Sequence, residues 1–274
     1  MFILYDNKMN KLNFPDGVKP LDIFISSIER NRITDSAEGS NVLQDMGYTY
    51  GTRNIELDIL LKAYDTQDYR LLRDEVYALL DRVAYVSESH QKGKRYSVRI
   101  DSQYIPDRIL NNQRFAEVKV ECSVVGLPFA ESIATTSLID KNGLRYSDEV
   151  WQYGMGLLLD DESQSYTNTG TSFRIYNAGN VDIHPFEHEL QIDLTGITGS
   201  GFEMKNITTG DTFKINDEMK PADKFTIGRG NMVYNNVNGL RKTNRKYISL
   251  ASGWNEFRLN RPAKTSFNFR YYYK

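Results

Sequence analysis

The chain has a single cysteine, Cys122, among its 274 residues, so no intrachain disulfide can form and a small disulfide-stapled fold is excluded. Nowhere does it hold an uninterrupted apolar run of the roughly 18 residues that a membrane-spanning helix needs, which excludes such a helix on length. The opening Met1-Phe2-Ile3-Leu4-Tyr5-Asp6 is apolar for only a few positions and carries no basic leader, unlike a secretory signal. The expectation is a protein made in the cytoplasm without membrane insertion, and exit inside a larger particle at lysis would leave no targeting mark. An excess of charge of one sign is also missing. With 34 Lys plus Arg against 36 Asp plus Glu, the chain has none of the electrostatic footprint that specific nucleic-acid binding requires. Histidine is scarce, with three residues, and tryptophan scarcer, with two.

What the chain does have is tyrosine, 18 of them, a residue that suits strands and also interfaces, where the ring excludes water while the hydroxyl stays satisfied. Its length exceeds the usual single domain, and two domains are expected. From Gly51 onward Ile55, Leu57, Ile59, Leu61 and Ala63 alternate with Glu56, Asp58 and Lys62, the period of a strand with one covered face. The period then changes. Asp65-Thr66-Gln67-Asp68 supplies cap-type residues and early negative charge, and Tyr69, Leu72, Val76, Leu79 or Leu80, and Val83 recur at helical spacing, predicting a helix from about Thr66 to about Arg82. Ser87 to Arg95 reads as a polar loop. Tyr96, Val98 and Ile100 make a further strand, and Ala116, Val118, Val120, Cys122 and Val124 the cleanest one. Sharing its face with the valines makes Cys122 a small buried hydrophobe rather than a reactive thiol. Before Gly51, Val18, Leu21, Ile23 and Ile25 mark an early strand. Glu29 to Gln44 has no sustained period and reads either as a disordered loop or as an arm ordered by a neighbouring subunit.

A boundary is expected after Val124 to Phe129, with the junction between about 130 and 150. This gives an N-terminal domain over 1–135 and a C-terminal domain over 145–274. Beyond it, strand candidates recur at Ser172–Tyr176, His188–Leu194, Phe202–Asn206, Thr212–Ile215, Lys224–Ile227, Met232–Tyr234, Lys246–Leu250, Asn255–Leu259 and Ser266–Tyr273. Turn-forming Asn, Asp and Gly separate them, and no convincing amphipathic helix interrupts them, the pattern of a sandwich or jelly roll. The alternating Phe267, Phe269 and Tyr271 read as core.

The residues with catalytic potential do not assemble into a recognisable set. His184 and His188 flank Glu187, but an H-x-x-x-H spacing broken by Pro185 is not the helical H-E-x-x-H of a zinc site, and His90 stands apart. Gly228-Arg229-Gly230 lacks the rest of a phosphate-binding fingerprint, and Lys92-Gly93-Lys94-Arg95 reads as a solvated basic loop or a contact with an acidic neighbour. No catalytic, metal or cofactor residue is assigned, and the chain is not expected to be an enzyme. Carbohydrate binding is the alternative, with Trp151, Tyr153, Tyr234 and Trp254 as stacking candidates on a β-sandwich.

Two regions carry a family resemblance. The first comprises Gly51-Thr52-Arg53, the strand to Leu61, and Asp65 to Leu80 with Asp68-Tyr69 and Leu71-Leu72-Arg73-Asp74-Glu75. The second comprises Phe173-Arg174-Ile175-Tyr176-Asn177-Ala178-Gly179-Asn180-Val181, the strand to Leu194, Asn206-Ile207-Thr208-Thr209-Gly210, and Leu250-Ala251-Ser252-Gly253-Trp254-Asn255. In this order they resemble the distal tail proteins of long, non-contractile-tailed phages that infect Gram-positive bacteria. That resemblance implies a mainly β protein: an α+β N-terminal domain with one helix and a peripheral C-terminal galectin-like β-sandwich. It also implies a homo-oligomer, a hexameric ring at the virion tail tip. Its implied partners are the tail tube protein, a tail-associated lysin or baseplate protein and, in many phages, a receptor-binding protein.

Overall fold

The structure, a computed structural model, describes residues 1–36, 42–109, 114–146 and 150–274. Contacts gather the chain into two compact units, Met1–Ala130 and Glu131–Lys274.

The first unit contains β1 (Phe2–Tyr5), β2 (Lys11–Leu12), β3 (Val18–Ile25), β4 (Arg30–Asp35), β5 (Gln44–Tyr50) and β6 (Asn54–Lys62). They are followed by α1 (Thr66–Leu80), β7 (Tyr85–Glu88), β8 (Lys94–Arg99), β9 (Asp107–Arg108) and β10 (Phe115–Val124). Seven strands hydrogen-bond in the order β2-β1-β7-β8-β10-β6-β3, with β9 alongside β10. The centre of this sheet follows directly from the two alternating runs. Ile55 pairs with Cys122, Leu57 with Val120, Ile59 with Val118 and Leu61 with Ala116, so the apolar faces of β6 and β10 coincide residue for residue. A slip of one residue would turn every one of these side chains to the other face, so the pattern itself pins the register.

Helix α1 covers that face. The Asp65 carboxylate caps it, accepting the Gln67 and Asp68 backbone N–H groups at 2.8 and 2.9 Å. Tyr69, Leu72, Val76, Leu79 and Leu80 are buried in one cluster with the strands. The helix ends at Leu80, two residues short of Arg82, with Asp81 as its C-terminal cap. Gly17 brings the preceding turn onto β6: its φ is +88°, the Lys62 N–H donates to its carbonyl at 2.7 Å, and a Cβ there would lie 2.6 Å from the Lys62 oxygen.

Two readings of this unit are corrected. The polar stretch Ser87 to Arg95 is not a single loop, because β7 runs through Glu88 and β8 begins at Lys94. A four-residue strand such as β7, with Val86 and Ser87 both fully buried, is too short to display a period. The described part of Glu29 to Gln44 is ordered as the β4–β5 ribbon, while residues 37–41 lie outside the described residues. Every β4 residue is exposed and no β5 residue is buried, so no face imposes alternation on the sequence.

The second unit contains β11 (Ala130–Ser132, entering it at Glu131), α2 (Thr136–Asn142), β12 (Thr167–Asn168), β13 (Ser172–Asn177), β14 (Leu190–Thr195), β15 (Phe202–Asn206) and β16 (Thr212–Ile215). Then come β17 (Lys224–Gly228), β18 (Asn231–Tyr234), β19 (Val237–Asn238), β20 (Gly253–Leu259), β21 (Lys264–Phe269) and β22 (Tyr272–Tyr273). One sheet runs β12-β21-β14-β17-β18-β19 and the other β13-β20-β15-β16. Phe257 of β20 meets Phe267 of β21 at 4.9 Å, and Phe213 of β16 meets Phe225 of β17 at 5.6 Å. These contacts between inner faces make the unit a β-sandwich.

Here too the sequence reading needs two corrections. Lys246–Leu250 is not a strand; Ile248 and Leu250 are fully buried, which produces the alternation, but only Leu250 bridges, to Ile183. The second departure is α2, whose seven residues fall within the stretch read as the junction and outside the expected 145–274 domain. It is tied to β21 through the Thr136 hydroxyl, which donates to the Phe267 carbonyl at 3.0 Å and accepts the Phe269 N–H at 3.1 Å. The aromatic terminus is core: Phe267, Phe269, Tyr271, Tyr272 and Tyr273 are all buried.

Candidate functional surface

The structure disperses the residues that sequence chemistry singled out. Cys122 is buried in the valine row, and burial pushes its thiol up to about 12. His184 and His188 come together through a turn, not a metal site: the His184 N–H donates to His188 Nδ1 at 3.0 Å, and the buried His188 ring lies edge-on to Tyr272 at 4.5 Å. Burial lowers the His188 pKa. Among the described residues no group of three or more His, Cys, Asp or Glu is placed to hold a metal ion, and no helix is long and apolar enough to cross a membrane. Gly228-Arg229-Gly230 is the hairpin turn between β17 and β18, where Arg229 Nε donates to the Phe186 carbonyl at 2.9 Å. The basic run at Lys92 is only partly solvated, since Arg95 is buried with its guanidinium 4.2 Å from the centre of the Tyr85 ring.

The four stacking candidates do not converge. Trp151 is buried. Trp254 has Arg174 over its ring at 4.5 Å and Tyr176 beside it at 5.0 Å. Tyr234 donates to Asp223 at 2.9 Å and has Lys242 4.8 Å from its ring centre. Tyr153 is exposed, but one face is stacked on Tyr146 at 4.7 Å.

A different surface stands out in the first unit. The β4–β5 ribbon pairs only with itself among the described residues, and it and its approaches expose Ile33, Val42, Leu43, Met46 and Tyr48. A two-stranded ribbon in water is marginal at best without a covered face. Its base is well anchored. Gly51 N–H donates to the Glu29 carbonyl at 2.9 Å, Glu29 N–H to the Thr52 carbonyl at 3.0 Å, and Tyr50 meets Phe129 edge-on at 5.3 Å. Gly51 packs closely against the same anchor: a Cβ there would lie 2.7 Å from the Glu29 carboxylate and 2.8 Å from the Asn31 amide, so both side-chain ends would have to shift. In the same unit β3 ends the sheet, with Leu21 and Phe24 exposed and a register shift between Pro20 and Ile23. A groove of about 490 Å³ runs along it, lined by Phe24, Ser26, Asn54 and Glu121 among others. An anchored ribbon with bare apolar residues, in the same unit as a sheet edge left unpaired among the described residues, is the kind of surface another chain covers. Sequence reasoning missed these side chains because exposed residues carry no period; the surviving signal was the apolar content of an otherwise polar stretch.

Residues 19–122 match the phage tail protein RIFT-related domain. The match runs from β3 to β10 and so contains the ribbon, the sheet edge and α1. No curated protein sequence matches the chain. Among solved structures, the fold is similar to the Dit protein of phage SPP1, described as a paradigm of the hub adsorption apparatus of phages infecting Gram-positive bacteria. The TM-score is 0.67 at 12% identity, over 99% of each chain. Chains of the phage p2 baseplate in its activated conformation match at 8% identity over 98% of this chain and 97% of theirs. Their TM-scores are 0.41 with strontium and 0.40 with calcium, too low to add to the fold assignment. Residues 19–122 thus match a phage tail domain, the chain shares end to end the fold of the SPP1 Dit protein, and the resemblance read from its two motif regions is borne out.

Proposed function

We propose that this chain is a structural hub of a phage tail tip, whose N-terminal unit closes a homohexameric ring and whose C-terminal unit, a galectin-like jelly roll, projects as an adaptor. The observation that carries the reading is the anchored, exposed β4–β5 ribbon, in the same unit as the open edge of β3, inside a segment that matches phage tail proteins. Ring closure pairs such surfaces with those of the next subunit and leaves no unsatisfied edge. The ring joins the tail tube protein to a tail-associated lysin or baseplate protein and, through the C-terminal unit, to a receptor-binding protein. It acts at the virion tail tip after synthesis in the host cytoplasm, and it performs no catalysis.

Native mass spectrometry and negative-stain electron microscopy of the chain, alone and with its tail partners, test the ring. Hexamers are expected, and the double variant Met46→Asp/Tyr48→Asp is expected to lose them while keeping its circular dichroism spectrum and melting transition. A wild-type chain that stays monomeric even with its tail partners, or a double variant that still forms hexamers, would sink the proposal.

A further inference from the structure

The β-sandwich unit holds a cleft that neither the tail role nor the sequence motifs explain. It encloses about 560 Å³, within the usual range for a ligand site. One wall is aromatic: Phe186, half exposed, lies 4.6 Å from Tyr247 with the rings inclined at 59°, and the His184 ring is 5.7 Å from Phe186. The other wall is polar and basic. Arg245 and Lys246 are exposed at its rim, and neither has an ion-pair partner among the described residues. At its base the Asp211 carboxylate accepts the Ser249 N–H at 2.9 Å and the Ser249 hydroxyl, with Thr209 Oγ1 donating at 2.8 Å.

Both walls are held in place. Arg229 Nε pins the Phe186 carbonyl at 2.9 Å. Arg245 sits at φ +58°, a left-handed conformation unusual for a residue with a side chain, and Thr243 Oγ1 holds it by accepting its N–H at 3.1 Å. Asn244 locks the same segment, donating to the Thr212 carbonyl at 2.8 Å and accepting the Lys214 N–H at 3.1 Å. This order also removes one class of ligand. The edge of β16 beside the cleft is occupied by the bridge from Ile215 to Thr243 and by Asn244 N–H donating to the Lys214 carbonyl, so a peptide cannot add there as a strand.

We propose that this cleft binds an anionic saccharide. The apolar C–H face of a pyranose stacks on Phe186 and Tyr247, where the electron-rich ring faces attract its polarised hydrogens. Its hydroxyls meet the Asp211 and Ser249 groups. Its phosphate or carboxylate sits on Arg245 and Lys246, the planar guanidinium pairing with two oxygens and the ammonium acting as a point charge. The inference goes beyond the tail-tip role, and its failure would leave the ring untouched.

Isothermal titration calorimetry of the full chain tests it with trigalacturonate, glucose 6-phosphate, uncharged maltotriose and hexaglutamate, each up to about 10 mM. At least one of the two anionic sugars is expected to bind about tenfold or more tighter than both maltotriose and hexaglutamate, and which one separates the carboxylate source from the phosphate source. Phe186→Ala and the double variant Arg245→Asn/Lys246→Gln are each expected to weaken that binding about tenfold with the melting temperature unchanged; Asn is chosen at 245 because it tolerates the left-handed backbone. Saccharide binding that is absent, hexaglutamate binding as tightly as the sugars, or affinity unaltered in both variants overturns the proposal. Should Phe186→Ala lower the melting temperature, Phe186→Leu, which keeps apolar bulk without a ring face, takes its place with the same expected loss.

Discussion

At the scale of single residues, the buried polar groups make the sharpest statements. Tyr166 and Tyr271 share a hydrogen bond between their hydroxyls in the sandwich core, and the Tyr166 hydroxyl also donates to the Tyr176 carbonyl at 3.1 Å. Tyr271→Phe leaves Tyr166 with that second partner and is expected to cost about 1 kcal/mol, whereas Tyr166→Phe strands the wholly buried Tyr271 hydroxyl and is expected to cost about 1–3 kcal/mol. Urea unfolding of the two variants checks the order. Burial raises the pKa of Tyr166, Tyr271 and Tyr273, and pushes Tyr272 up to about 12. Because these folded values lie above the ordinary value of about 10, the stabilisation they contribute is complete below that pH and is lost as pH climbs through the raised values. Absorbance at 295 nm is expected to show these four tyrosines ionising only as the chain unfolds. Cys122, with its thiol pushed up to about 12, is expected to resist Ellman's reagent at pH 8 until denaturant is added. Its burial was legible from the valines around it. The Tyr166–Tyr271 pair was not, since 105 residues separate the two and no local pattern relates them.

At the scale of elements, legibility followed burial of one face. The runs of β6 and β10 and the stripe of α1 were readable because each turns one side to a common core, and that side imposes a period of two or 3.6 on the sequence. The Asp65 cap was readable too, because a carboxylate just before an apolar stripe can satisfy two of the open N–H groups of the first turn. Asp65→Ala is expected to lower stability by about 0.5–2 kcal/mol in thermal or denaturant unfolding, with the β structure otherwise intact. The β4–β5 ribbon was not readable, having no buried face, and the segment Lys246–Leu250 misled for the opposite reason. Its buried Ile248 and Leu250 alternate as a strand does, but its backbone hydrogen bonds go elsewhere. Alternation reports which way side chains point, not whether a ladder exists. The candidate cleft shows the same limit: Phe186, Asp211 and Tyr247 come from three separate segments, and only the turn at Pro185 and the loop at Asn244 bring them to one place.

At the scale of the whole molecule, the division at Ala130 makes a concrete claim about folding. A fragment beginning at 145 lacks α2, whose Thr136 hydroxyl bridges the Phe267 carbonyl and Phe269 N–H and whose Asp140 accepts the Tyr166 N–H at 3.0 Å. The fragment Glu131–Lys274 is expected to unfold cooperatively, and the fragment starting at 145 to be less stable by about 2 kcal/mol or more, from the lost burial of Ile139 and the broken polar contacts. Differential scanning calorimetry of the two fragments decides it. By itself, the sequence determined that this is a β-rich chain without an intrachain disulfide, with two clean alternating strands, one long amphipathic helix between them and an aromatic C-terminal core, because each of those features is written in composition or in a local period. Only the tertiary structure decided which exposed residues stand together, as in the bare ribbon and the aromatic and basic walls of the cleft. Residues that face water are released from any period, and their grouping depends on contacts between segments far apart in the chain.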